Sequence, residues 1–131
     1  MTYKTISYIL VVLLILVSLF AFHRTEATEG NFEPLTVKEY AYQRVVEEWG
    51  EEQWEYFDDL VTRESNWNTT AQNKRSTAFG SLQFLDSTWA TVGCEKTDNG
   101  YVQIDCGIKY ISARYGTPKK SIIHHNLRNW Y

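Results

Sequence analysis

One carboxylate in this 131-residue chain stands where a proton donor could be built. Glu64 closes the segment Leu60-Val61-Thr62-Arg63-Glu64-Ser65, and on a helix positions i, i+3 and i+4 share a face, so Leu60, Val61 and Glu64 line up. A carboxylate carried towards a core by its own apolar stripe loses solvation, and its pKa rises. That shift keeps a carboxylic acid protonated near neutral pH, ready to donate to a leaving group. The competing reading is a solvated acid at a helix C-terminus, where the dipole disfavours negative charge. Spacing alone does not separate the two. Glycoside cleavage generally uses a pair of carboxylates, yet no second acid announces itself. Asp58 and Asp59 face elsewhere on the same helix, while Asp86 and Asp105 stand at apparent helix caps. The pair His124-His125 lacks the i, i+4 spacing of helical metal ligands and no CxxC is present, so neither a metal nor a cofactor is expected.

The residues around Glu64 narrow the choice. Glu64-Ser65-x-Trp67-Asn68-x-x-Ala71, followed by Ala78-Phe79-Gly80-x-x-Gln83-Phe84-Leu85, resembles the lysozyme-like lytic transglycosylases. The resemblance is to their compact secreted branch, which closes on Asn-Trp-Tyr as Asn129-Trp130-Tyr131 does here, and it covers residues 41 to 131. It implies a mainly α, lysozyme-like helical domain with a loop or small hairpin beside a cleft. It further implies a monomer that cleaves the β-1,4 bond between N-acetylmuramic acid and N-acetylglucosamine in peptidoglycan with Glu64 as the single catalytic acid. The product would be a 1,6-anhydro sugar. A muramidase using the same residues, or an inactive peptidoglycan-binding module, are the alternatives.

Among the other residues, Ser65 matches the family's Glu-Ser pair and would orient the sugar or cap the helix. Gln83 matches the glutamine closing the family's Gly-Leu-Met-Gln motif, although Gly80-Ser81-Leu82-Gln83 departs at the middle positions. Trp67 would stack on sugar or join the core. The family's Ala-x-Asn-x-Tyr element is not cleanly present. Tyr131 is the preferred counterpart for bracing Glu64, with His125-Asn126 as the other candidate.

The elements that must position these residues follow from pattern. Ile6 to Phe22 is an apolar run between Lys4 and His23-Arg24, too hydrophobic on all sides for a surface helix. Residues 1–23 therefore read as a hydrophobic helix acting as signal anchor or signal peptide, which would place the remainder outside the cytoplasm, anchored or secreted. Residues 24–35 read as a polar linker, and 36–131 as one domain. Thr36-Val37-Lys38-Glu39 is a capping box opening a helix that stops at Gly50. A second helix runs over 53–64, followed by an irregular loop over 65–78. Asp86-Ser87-Thr88 offers caps for a short helix through Trp89 to Gly93. Asp98-Asn99-Gly100 reads as a turn before a helix carrying Ile104, Ile108, Ile111 and Tyr115, and Thr117-Pro118 opens a last one.

In an exported domain the spacing of Cys94 and Cys106 predicts a disulfide, against the alternative of two buried thiols. Charge is uneven. Residues 1–64 hold five Lys/Arg against twelve Asp/Glu, and residues 65–131 hold eight against four. No basic run alternates with aromatics, which argues against nucleic-acid binding. The basic balance beyond Glu64 suits either an anionic polymer or an ordinary solvated surface.

Overall fold

The structure, a computed structural model, describes residues 33–128. The hydrophobic segment 1–23, most of the linker 24–35 and the closing Asn129-Trp130-Tyr131 lie outside the described residues. Residues 34–128 belong to one compact unit. It is mainly helical, with no strand among the described residues, and consists of α1 (Val37–Trp49), a 3-10 turn (Glu51–Gln53), α2 (Trp54–Ser65), α3 (Asp86–Thr91), α4 (Gly100–Arg114) and α5 (Pro118–Arg128).

The capping box at Thr36 forms as the sequence predicts. Thr36 Oγ1 accepts from the Glu39 amide at 3.2 Å while Glu39 accepts from the Thr36 amide at 2.8 Å. From that start α1 buries Ala41 and Val45, and Gly50 ends it in a positive-φ conformation that suits glycine. α1 packs on α4, and α2 packs on α5. The centre of the unit is α4. Gln103, Ile104, Cys106, Gly107, Ile108, Tyr110 and Ile111 are buried, while Tyr101, Val102, Asp105, Lys109 and Ala113 keep the opposite face of the helix in solvent. At Gly107 an added Cβ would collide with the Leu82 side chain, and glycine there lets the 80–84 turn sit directly on the helix.

Two helix starts differ from the sequence reading. The helix expected from Ile104 begins at Gly100, because the Asn99 side chain caps it by accepting from the Tyr101 and Val102 amides. Asp105 is consequently mid-helix rather than at a cap, where it accepts from Tyr40 Oη at 2.8 Å and from Arg44 at 2.9 Å. α3 begins at Asp86 itself, and none of the three expected caps holds it. Asp86 instead pairs with Lys96 at 2.9 Å.

The segment between α2 and α3 is irregular, tied by the single antiparallel bridges Gln72–Phe79 and Phe79–Phe84.

Cys94 and Cys106 form a disulfide that fastens the connection after α3 to the middle of α4. Closing a loop of 12 residues restricts the unfolded chain by about 3 kcal/mol. Replacing both cysteines by serine is expected to lower the denaturation midpoint by a corresponding amount. A reducing agent should do the same to the parent protein and change nothing in the double variant, as read by urea titration.

Candidate active site

Glu64 stands on the last turn of α2, behind the buried Leu60 and Val61 that share its face. The helix stops immediately afterwards. Asn66 takes the left-handed conformation, with its amide bonded to the Thr62 carbonyl, and Trp67 follows at φ 64°. Asparagine tolerates that conformation, whereas a bulky aromatic residue does not without support. The support is visible. Trp67 packs against Trp54 and Phe57, its indole N–H donates to Asp58 at 2.7 Å, and the Lys38 ammonium lies over its ring. Burial pushes Asp58 up, but bonds from Lys38, Trp67 and Thr62 outweigh it and hold the carboxyl below its ordinary value. Asp58 is thus a fixed anion anchoring the helix exit.

The exit opens onto a groove of about 560 Å³ lined by Glu64, Ser65, Gln72, Gln83 and neighbouring residues of the 71–75 loop. Its volume lies in the range of small-molecule sites. One hydrogen bond fits the groove wall to the helix, and two more close the wall on itself. Ser65 Oγ donates to the Ser81 carbonyl at 2.7 Å, with the Val61 carbonyl a longer alternative at 3.3 Å. Gln83, itself at φ 50°, donates from Nε2 to the carbonyls of Ala71 and Gly80, each at 3.0 Å. Both amide protons of Gln83 are therefore spent on backbone. Its Oε1, the acceptor, is the atom left for a ligand.

Glu64 is braced from α5. His125 Nε2 lies 3.1 Å from Glu64 Oε1, and both side chains are 18% exposed. Beside them Arg63 grips Asp59 and donates to Asn126 Oδ1 at 2.7 Å, which ties α2 to α5 at the same level. Burial pushes the Glu64 carboxyl above its ordinary value, and the charge and hydrogen bond of His125 pull the other way without cancelling the rise.

Glu64, Ser65 and Gln83 thus meet at one groove. Trp67 lies in the aromatic cluster behind the helix exit rather than among the groove-lining residues, and Tyr131 is outside the described residues. His125, one of the two candidates for bracing the acid, makes a contact with it. Among the described residues no group of acids, histidines and cysteines could hold a metal ion.

Sequence reasoning missed Gln103. This glutamine on α4 is 1% exposed, and its Oε1 accepts from both the amide and the hydroxyl of Ser81, each at 2.8 Å. Its Nε2 donates to the carbonyls of Thr69 at 2.8 Å and Thr97 at 2.7 Å. One side chain therefore fixes the groove turn, the loop after Trp67 and the connection before α4. Gly80, at φ 81°, has no Cβ because the Gln103 amide fills that space. The only signal available in the sequence is a glutamine inside an apolar helix, between Val102 and Ile104.

No protein-family model, curated protein or solved structure matches this chain.

Proposed function

We propose that the chain is a lysozyme-like lytic transglycosylase acting on peptidoglycan glycan strands outside the cytoplasm. The observation that carries the reading is Glu64: a carboxyl held largely out of water at the end of its helix, facing a groove it shares with Gln83 and the Ser65-clamped turn. A buried carboxyl that stays protonated at higher pH is what general-acid cleavage of a glycosidic bond requires.

In this scheme protonated Glu64 donates to the glycosidic oxygen as the C1–O bond breaks. The substrate's own 2-acetamido carbonyl closes on C1 and carries the developing positive charge, so no second carboxylate is called for. Glu64, now a carboxylate, takes the proton of the C6 hydroxyl while that oxygen attacks C1, giving the 1,6-anhydro product and regenerating the acid. Water arriving in place of the C6 hydroxyl would give a reducing end, with the same residues acting as a muramidase. The disulfide is compatible with an extracytoplasmic protein, whether anchored or released.

Incubating the protein with purified peptidoglycan and weighing the released muropeptides by mass spectrometry tests the proposal. Anhydro ends are expected; reducing ends would make the enzyme a hydrolase, and no release would leave a glycan-binding module.

His125 has a role in this scheme that a pH profile can read. Its contact with Glu64 opposes the upward shift caused by burial. His125→Ala is expected to lower peak activity about tenfold through loss of the brace. It should also move the descending limb of kcat/KM to higher pH, because Glu64 loses the group that stabilises its carboxylate. A fall in activity with the limb unmoved would assign His125 to packing alone.

A further inference from the structure

The sign of the charge around the groove is the reverse of that of the chain. The protein carries more acids than bases, yet among the described residues the groove wall has one carboxylate, Glu64, against Arg63, Lys74 and Arg75. Arg63 is committed to Asp59 on its own helix. Lys74 and Arg75 are exposed, and neither side chain has a carboxylate partner among the described residues. They are not on a loose tail. The loop that carries them is pinned at its base, where the Asn73 amide bonds the Ala78 carbonyl at 3.0 Å and Gln72 Nε2 bonds the same carbonyl at 3.2 Å. At its tip the Arg75 amide bonds Asn73 Oδ1 at 2.8 Å. A pinned loop bearing two uncompensated cations beside a single buried acid is a recognition element for a negative group on the ligand.

We infer that Lys74 and Arg75 bind a carboxylate carried on the 3-O-lactyl arm of the muramoyl residue lying in the groove beside Glu64. The inference rests on the glycan-cleaving reading and names what it leaves open, namely how a sugar polymer of repeating 2-acetamido units is told apart from a neutral one. Chitin presents the same 2-acetamido and 6-hydroxyl groups as the wall polymer, so the chemistry at Glu64 cannot distinguish them. The lactyl arm can. It ends in a carboxylate when bare; when substituted that carboxylate becomes an amide and the negative groups lie further out along the peptide, on the same arm of the sugar. Exposed ion pairs are individually weak and screened by salt, so two of them together support a preference on the order of tenfold.

The test is binding by the full chain carrying Glu64→Gln, so that no strand is consumed, to three ligands: peptide-bearing glycan strands, strands stripped to the free lactyl carboxylate, and neutral chitin oligomers. The expected result is roughly tenfold tighter binding of the carboxylate-bearing strands over chitin oligomers, collapsing towards parity in high salt and on adding Lys74→Gln with Arg75→Gln. A preference confined to peptide-bearing strands places the carboxylate on the peptide, and one kept by stripped strands places it on the lactyl group; both support the inference. It is overturned if the parent shows no preference, if nothing binds, or if the double substitution leaves the ratio unchanged. Muropeptide release by the unsubstituted protein is read separately, so a failure of catalysis and a failure of recognition are told apart.

Discussion

Glu64→Gln is expected to abolish glycan cleavage, with a loss of about 10⁴-fold, at the upper end of what a positioned general acid contributes. The upper end is expected because one carboxyl serves both halves of the proposed reaction, donating first and accepting afterwards, and glutamine can do neither. Chromatography of released muropeptides measures the loss, and an unchanged circular dichroism spectrum shows that the fold survives. The same substitution has a second, opposite effect. Burial raises the Glu64 pKa in the folded protein. Its contribution to stability is therefore fully present below the unfolded carboxyl pKa and is lost as pH rises through the folded value. Glutamine does not ionise. The variant should accordingly gain stability relative to the parent across that window, seen as a melting-temperature difference that grows with pH. A difference that does not change with pH would show that Glu64 is a well-solvated anion, and the reverse trend would show that the fold stabilises its carboxylate; either outcome would sink the stored acid.

The second large effect lies away from the groove. Gln103→Leu keeps the volume of the side chain but removes four hydrogen bonds at once. The Ser81 amide and hydroxyl lose their acceptor, and the Thr69 and Thr97 carbonyls lose a donor. Each such group left unpaired out of water costs about 1–3 kcal/mol, and partial relaxation towards solvent reduces the sum. A loss of about 4 kcal/mol is expected, a large share of what a small domain possesses. Urea denaturation measures it. Activity at temperatures where the variant remains folded should fall too, because Ser65 and Gln83 both bond the 80–83 turn that Gln103 holds. A variant as stable as the parent would mean that water replaces the glutamine at little cost.

Much of this was legible from pattern. The capping box at Thr36, the stop at Gly50, the face shared by Leu60, Val61 and Glu64, and the pairing of Cys94 with Cys106 are local or nearly local, and short-range rules reach them. The convergence of Glu64, Ser65 and Gln83 on one groove is what the resemblance of their motifs to the lysozyme-like transglycosylases implied, and spacing by itself does not reach it. Long-range polar contacts were only partly legible: the resemblance offered His125-Asn126 as a second counterpart for bracing Glu64, with Tyr131 preferred. His125 and Glu64 are 61 positions apart, and nothing in either neighbourhood specifies that α5 lies along α2 with that residue inward. Ser65 was read as a sugar ligand or a helix cap, but its hydroxyl clamps a turn 16 residues on. Gln103 is harder still, since a buried amide is recognised by its four partners and these come from three separate segments. The boundary of α4 was misplaced for a simpler reason. Asn99 and Gly100 are common both in turns and at helix starts, and only the bonds from the Asn99 side chain decide between them.

The stop at Asn66 and Trp67 also constrains how the gene can drift. Trp67 fastens the end of α2 to Asp58 within the same helix and to the aromatic cluster beneath it. An insertion or deletion of a single codon between Trp54 and Glu64 would turn the acid by about 100° about the helix axis and swing it out of the groove. Divergent copies of this domain should therefore keep the length of α2 between Trp54 and Glu64 fixed.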